Sequence, residues 1–157
     1  MTRSRGFTIA ELITVVAIIG VLASVAMPIA SFGIKRQKEI ELRERLRKVT
    51  NAIDQYHELR ISPNIAGAIK KPPDFGQGEW PKTLDELTKP IELNNSKMIR
   101  LLRDRDLIDP MTGKAEWNTL SDSDEPDTTQ TNGNNVWEIH SKSTGLALDG
   151  KTHYNEW

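Results

Sequence analysis

The first part of the chain contains a long apolar stretch, which is followed by a regular stripe of apolar residues. Positions 12–34 contain no charged residue, and 17 of these 23 positions are apolar. At about 1.5 Å per residue, a helix over this stretch spans about 35 Å, more than the roughly 30 Å hydrocarbon core of a bilayer. The pattern therefore predicts one membrane-spanning helix.

The stretch that follows is charged, but apolar residues recur in it at steps of three and four. They are Leu42, Leu46, Val49, Ile53, Tyr56 and Leu59. This spacing is typical of an amphipathic helix, so we expect 35–60 to continue the first helix to a combined length of about 80 Å. Pro63 disfavours helical geometry in the residue before it and predicts an end near residue 60. We expect the stripe to pack under the sheet of a small head, because about two and a half heptads are too few to indicate a coiled coil.

The remaining residues predict a small head with short elements. Four prolines and three glycines within 62–82 indicate a loop, and Thr83 with Glu86 fits a capping box at the start of a short helix. The strand candidates are 116–120, 136–140 and 146–148, the first two separated by the polar loop 121–135. We also expect the four tryptophans to pack in the core of the head. They are Trp80, Trp117, Trp137 and Trp157.

Charge is distributed unevenly along the chain. The total is −1, but residues 35–60 carry +3 and residues 115–157 carry −6. The acidic end makes nucleic acid an unexpected partner and suits a hard cation such as calcium. A solvated acidic face that only keeps the head soluble is the alternative. The candidate oxygen ligands in this region are Asp122, Asp124 and Asp127, with Asn132, Asn134 and Asn135 close by in the sequence.

No signature of an enzyme accompanies these features. The chain has no cysteine, which excludes disulfides and thiolate chemistry. Ser141, His140 and Asp149 lack a nucleophile elbow and an oxyanion loop, the three histidines are scattered, and no glycine-rich phosphate loop is present. We therefore expect a protein that is not an enzyme, with any mechanical work supplied by a separate ATPase.

The N-terminus differs from an ordinary secretory signal. Basic residues and Gly6 precede the apolar stretch, and no small-residue cleavage site follows it. The basic residues on the two flanks compete, so charge bias alone leaves the membrane orientation open. Glu11 needs a cation, because a carboxylate near mid-membrane costs about 2.5–3.5 kcal/mol. Cleavage after Gly6 would supply the α-amine of Phe7, whereas the alternative is an interfacial Glu11 stabilised by the helix dipole.

The segment Arg5-Gly6-Phe7-Thr8-Ile9-Ala10-Glu11-Leu12, followed by the apolar helix, resembles the class III leader of type IV pilins and type II secretion pseudopilins. The resemblance implies cleavage between Gly6 and Phe7 by prepilin peptidase and N-methylation of Phe7. It also implies that Glu11 guides membrane extraction and pairs with a neighbouring subunit during assembly. Gly20 and Pro28 fall at the family's helix-loosening positions. Glycine lowers helix propensity by about 1 kcal/mol relative to alanine, and proline lacks the N–H donor.

The second half resembles the major pseudopilin of type II secretion. The residues that carry this resemblance are Trp80-Pro81, the Asp109-Pro110 turn, the strand 136–141, Ala147-Leu148-Asp149-Gly150 and Trp157. In that family calcium bound by the C-terminal loops stabilises the head, and by position Asp149 is the expected ligand. The family's glycine-rich, aspartate-bearing loop after this aspartate is replaced here by residues 151–156. A plain turn residue is the alternative role for Asp149.

Together, these resemblances imply a pilin-like α+β fold, in which a long helix packs on a small antiparallel sheet. The expected segments are a leader at 1–6, a transmembrane and filament-core helix at 7–34, an amphipathic continuation at 35–60 and a head at 61–157. The expected function is that of a structural subunit of a periplasmic type II secretion pseudopilus, anchored in the inner membrane by a single pass with its head in the periplasm. Its expected partners are copies of itself, minor pseudopilins, prepilin peptidase and an inner-membrane assembly platform. The alternatives are a type IV pilus subunit for adhesion, motility or DNA uptake, and a monomeric membrane-anchored binding domain.

Overall fold

The computed structural model describes residues 7–61, 79–92, 96–125, 128 and 131–157. The leader 1–6, Asp127 and most of the predicted loop 62–82 lie outside these described residues. A 53-residue helix, α1 (Ile9–Ile61), dominates the structure, as the apolar patterns predict, and ends close to the expected residue 60. The chain divides into two compact units, Met1–Gln37 and Lys38–Trp157, so α1 contributes to both.

In the first unit, nearly every described side chain of α1 is exposed. Three hydroxyl groups in this apolar stretch donate hydrogen bonds to backbone carbonyls of the preceding turn. Thr14 donates to Ala10 O at 2.8 Å, Ser24 to Val21 O at 2.7 Å and Ser31 to Pro28 O at 2.9 Å. The side-chain polar groups are therefore satisfied within the helix, which suits an environment without water.

The second unit is built on the inward face of its part of α1. Leu42, Val49 and Tyr56 follow each other at intervals of seven residues and are almost completely buried, as is Ile53. This confirms the predicted amphipathic stripe. Residues from the rest of the unit cover it and complete the core: Leu87, Leu102, Leu107, Trp117, Val136, Ile139, Ala147 and Tyr154.

The described head contains two antiparallel pairs of strands where one small sheet was expected. Strand β1 (Ile91–Glu92) pairs with β2 (Met98–Ile99), and β3 (Trp117–Leu120) pairs with β4 (Glu138–Ser141). The predicted strand at 146–148 is reduced to a single bridge between Leu146 and His153. Three 3₁₀ helices complete the head: η1 (Leu84–Thr88), η2 (Asp104–Leu107) and η3 (Tyr154–Glu156). The arrangement is α+β, as predicted.

The capping box expected at Thr83 is wrong. Helix η1 begins directly after Thr83, but the Thr83 side chain makes no capping hydrogen bond. The Glu86 carboxylate is buried and accepts hydrogen bonds from the Lys82 backbone N–H at 3.2 Å and the Tyr56 hydroxyl at 3.4 Å. Glu86 therefore ties η1 to α1, a contact that local sequence spacing does not encode.

The expectation that all four tryptophans lie in the core is wrong for Trp137. Trp117 is buried, and Trp80 and Trp157 pack against the core. Trp137, however, is 47% exposed, because the preceding Val136 takes the buried position at the entry to β4. Its backbone N–H still donates to Leu120 O at 2.8 Å, so the ladder continues while the indole stays outside.

Candidate functional site

The start of α1 brings together several of the predicted assembly residues. Thr8 caps the helix: its hydroxyl oxygen accepts a hydrogen bond from the Glu11 backbone N–H at 3.2 Å, and its carbonyl accepts from Leu12 N–H at 3.1 Å. Phe7 precedes this cap and is exposed. The sequence features considered for Glu11 concerned only its charge and did not predict the helix cap at Thr8. The Thr-x-x-Glu spacing is nevertheless a known signal of a helix start.

The Glu11 carboxylate is exposed in the first turn of α1. Among the residues that the structure describes, no cation lies within ion-pair distance of it. The partial positive charge of the helix N-terminus is therefore the only favourable charge supplied by the described chain. Gly6 lies outside the described residues, so cleavage and methylation next to it stay predictions.

Gly20 and Pro28 lie inside α1, which is continuous through both. A Cβ atom at Gly20 would meet no atom within 4 Å beyond its chain neighbours and the adjacent helix backbone, so no packing contact in the described chain requires glycine there. Beside it, Ala17, Ile18, Val21 and Leu22 line a shallow apolar groove of about 290 Å³. Pro28 leaves the carbonyl four residues earlier without its helical donor. Local loosening at these positions stays a prediction.

In the second unit, Glu39 joins α1 to the C-terminal part of the described head. One of its carboxylate oxygens accepts hydrogen bonds from the Leu148 backbone N–H at 2.7 Å and the Tyr154 hydroxyl at 2.8 Å. Burial, with the hydrogen bond and charge of Glu39, raises the pKa of Tyr154 to about 12. The amphipathic pattern gave no signal for this contact, because its partners are more than 100 residues away in the sequence.

Asp149 forms a turn of its own. Its carboxylate accepts hydrogen bonds from the Thr152 hydroxyl at 2.6 Å and from the backbone N–H groups of Lys151 at 2.9 Å and Thr152 at 3.0 Å. The Thr152 hydroxyl, followed by these backbone donors, lowers the pKa of Asp149 to about 2. Gly150 sits in the left-handed region that this turn requires, with φ +69°. The turn role that the sequence left open is therefore observed.

The other candidate calcium ligands lie in the loop after β3. Asp124 accepts from the backbone N–H groups of Ser121 at 2.7 Å and Asn132 at 3.1 Å, which lowers the pKa of its carboxyl group. Asp122 accepts from the Asn135 side-chain amide at 2.8 Å. No group of three or more His, Cys, Asp or Glu side chains suited to a metal ion occurs among the described residues, which do not include Asp127. Calcium stays a prediction.

A cluster of ion pairs around one buried carboxylate fixes η2 against α1. Asp106 is 2% exposed, and its carboxylate contacts Arg45 at 2.5 Å and Lys48 at 3.0 Å. Burial opposes ionisation, but the hydrogen bond and charge of Lys48, with the charge of Arg45, hold the pKa of Asp106 below its usual value. Asp106 is a second contact that the sequence did not single out.

The residues considered for a hydrolytic triad have separate partners. Ser141 donates to the buried Asp109 carboxylate at 2.7 Å, and the other Asp109 oxygen accepts from Met111 N–H at 2.7 Å. His140 Nδ1 lies 2.7 Å from the backbone oxygen of Trp157. Asp109 thus fixes its turn to β4, joining two of the features on which the pseudopilin resemblance rests. Absence of enzymatic activity stays a prediction.

Comparison with known protein families gave a match at the start of the chain. Residues 1–27 match the family model of the prokaryotic N-terminal methylation motif. Comparisons with curated proteins and with solved structures gave no match. The motif covers the leader, Phe7, Glu11 and Gly20, and it coincides with a helix that is long and apolar enough to cross a membrane. Together these two findings fit a type IV pilin-like protein, which implies processing by a prepilin peptidase and assembly into a filament.

Proposed function

We propose that this protein is a structural subunit of a type II secretion pseudopilus, made as a membrane-anchored precursor and polymerised in the periplasm to drive protein export. One coincidence supports this proposal. The methylation motif overlaps an apolar helix whose candidate membrane-spanning window is 0% buried by the described residues of its own chain. A surface of this kind needs lipid or neighbouring copies around it.

The proposed mechanism is an exchange of lipid for neighbouring helices. Lipid tails are as apolar as the side chains of positions 12–34, so assembly must gain from close packing. Gly20 and the shallow groove beside it leave room for such packing. Because the interface repeats without closing, it must be heterologous.

Glu11 sets the register of this packing. After cleavage, the α-amine of Phe7 in one copy pairs with the Glu11 carboxylate of the next. A buried pair of this kind costs most when one partner is missing, so a subunit in the wrong register is disfavoured. The exposed position of both residues in the described chain supports this role.

Two features support a pseudopilin over a type IV pilus subunit. The chain has no cysteine and therefore no disulfide-closed head. The Asp109 turn and β4, both part of the resemblance, are joined by the hydrogen bond from Ser141. The proposed partners are minor pseudopilins and an inner-membrane assembly platform with a separate ATPase, and the proposed location is the inner membrane with the head in the periplasm.

We also propose calcium as a stabilising ligand of the head. Asp149 is the first candidate to bind it, and Asp122, Asp124 and Asp127 are the second set.

The intact mass of the protein from its native host tests the first step. We expect the loss of residues 1–6 and the addition of one methyl group. A Gly6→Ala variant should keep the full precursor mass. A native protein that still begins at Met1 would contradict the proposal.

Filament imaging and a secretion assay test the second step. Glu11→Leu and Glu11→Gln should abolish filaments at an unchanged membrane level. Glu44→Gln, at an exposed position on the same helix, should not. Normal filaments from both Glu11 variants would remove its proposed role. Long surface fibres, with unchanged export in a deletion strain, would indicate a type IV pilus subunit.

A further inference from the structure

The second unit carries a preformed groove that the helix-driven assembly described above does not use. It has a volume of about 340 Å³ and is lined by Arg43, Leu46, Arg47 and Trp157, which we call the arginine groove. Leu46 packs against the core. The Trp157 indole is held on two sides: its N–H donates to the Thr152 hydroxyl at 3.2 Å, and its ring meets Tyr154 edge-on at 5.3 Å. The apolar floor of the groove is therefore fixed in place.

The rim of the arginine groove is cationic. Arg43 lies over the Trp157 ring, 4.3 Å from its centroid, and Arg47 follows one helical turn later. Both are exposed, and neither forms an ion pair with a carboxylate of the described residues. In contrast, Arg45 and Lys48 on the same helix share Asp106. Guanidinium groups beside an apolar floor favour a carboxylate-bearing peptide segment.

A complementary segment lies elsewhere on the same chain. Residues 121–125, which we call the acidic loop, contain Asp122, Asp124 and Glu125 in five positions. Hydrogen bonds from Ser121 to Asp124 and from Asn135 to Asp122 hold this loop in shape. Asp122 and Glu125 remain exposed. The loop therefore presents negative charge on a preorganised backbone, which lowers the entropy cost of docking.

We propose that the arginine groove of one subunit receives the acidic loop of a neighbouring copy. Charge complementarity favours this occupant, since the described residues supply both two neighbouring arginines without an ion pair and a loop in which two acids, Asp122 and Glu125, are exposed three residues apart. The two surfaces are different parts of one molecule, so the contact is heterologous and propagates from copy to copy. This inference rests on the proposed filament function and adds a contact between heads to the packing of helices.

Cysteine cross-linking in assembled filaments tests the contact. The natural chain has no cysteine, so introduced pairs report without background. We expect the full-length double variant Arg47→Cys with Glu125→Cys to form disulfide-linked ladders of three or more subunits on oxidation. Either single variant gives no ladder, because a chain needs both cysteines to be linked on two sides. Lys114→Cys with Glu125→Cys is the matched control, since Lys114 is also an exposed cation of the second unit.

A second measurement uses charge. Reversing Arg43 and Arg47 to Glu should lower filament yield by about fivefold, and Glu125→Lys in the same chain should restore part of it. An equal ladder from the control pair overturns the proposal, and so does filament assembly without a ladder. The latter result is also expected if the arginines bind membrane phosphates. Filaments without a ladder contradict only the contact between heads. If the unsubstituted protein forms no filaments at all, the proposed function fails as well, so the two failures are distinguishable.

Discussion

The contact made by Glu39 allows a quantitative test of what fixes the C-terminal part of the head to α1. Replacing it by leucine removes the acceptor for two donors, the Leu148 backbone N–H and the Tyr154 hydroxyl. Tyr154 is only 4% exposed, so water cannot easily take over as its partner. The substitution therefore leaves a buried hydroxyl group unpaired, which is costly in a folded protein.

The expected cost follows from these two bonds. A hydrogen bond to a charged group contributes about 1.5–3 kcal/mol. Glu39 itself is partly exposed, so we take the lower end for each bond and expect Glu39→Leu to lower the free energy of unfolding by about 3 kcal/mol. For a protein of this size, that loss corresponds to a fall in Tm of roughly 10 °C. Glu39→Gln keeps an acceptor oxygen and loses only the charge, so its fall should be less than half as large.

The Tm of both full-length variants in detergent can be measured by thermal unfolding, with near-UV circular dichroism as the signal. A second readout is the titration of Tyr154 in a Tyr56→Phe background. In Glu39→Leu the pKa of Tyr154 should fall from about 12 towards 10, stopping short because burial still raises it. Glu39 does not have this stabilising role if Glu39→Leu unfolds within about 2 °C of the unsubstituted protein, or if Glu39→Gln lowers Tm as much as Glu39→Leu does.

Further predictions concern pH and calcium. Burial is the main cause that raises the pKa of both Tyr56 and Tyr154 to about 12, so their stability contribution is complete below pH 10 and lost as pH rises towards 12. Tyr56→Phe should reduce this alkaline loss in urea unfolding, and an unchanged loss would contradict it. Asp106 has a lowered pKa, so its contribution is present above about pH 4 and lost below it. Asp106→Asn removes the charge that holds hydrogen bonds from two partly exposed cations, so it should lower the free energy of unfolding by about 2 kcal/mol at neutral pH. It should also flatten the acid dependence of unfolding, whereas an unaltered acid profile would refute this. Calcium should raise Tm relative to a chelator in the unsubstituted protein but not in Asp149→Asn; equal Tm values with and without calcium would remove the ion from the proposal.

The long helix α1 was predictable from sequence because its signals are local and repeat many times. The apolar stretch and the steps of three and four gave α1 and its buried face, including Leu42, Val49 and Tyr56. Periodicity over many turns predicts burial at such positions, so the prediction does not depend on any single residue. The capping signal at Thr8 is equally local, because the Thr-x-x-Glu spacing alone predicts this helix start.

The contacts that position the head were not predictable in the same way. Glu39 and Asp106 each bond to partners at least 58 residues away, and nothing in their own neighbourhood identifies those partners. Strands β1 and β2 are two residues long, too short to show an alternating pattern. Trp137 is apolar and next to a strand, yet whether it faces the core depends on which neighbour takes the buried position. Tertiary packing decided all of these cases.

The wide sequence separation in the Glu39 contact also constrains when the head can close during biosynthesis. Glu39 leaves the ribosome more than 100 residues before Leu148 and Tyr154 are made. At about 5–20 residues per second, this interval lasts roughly 5–20 s. The apolar helix is therefore synthesised many seconds before the head can form its Glu39 contact. A membrane-insertion factor that acts early meets an unfinished head.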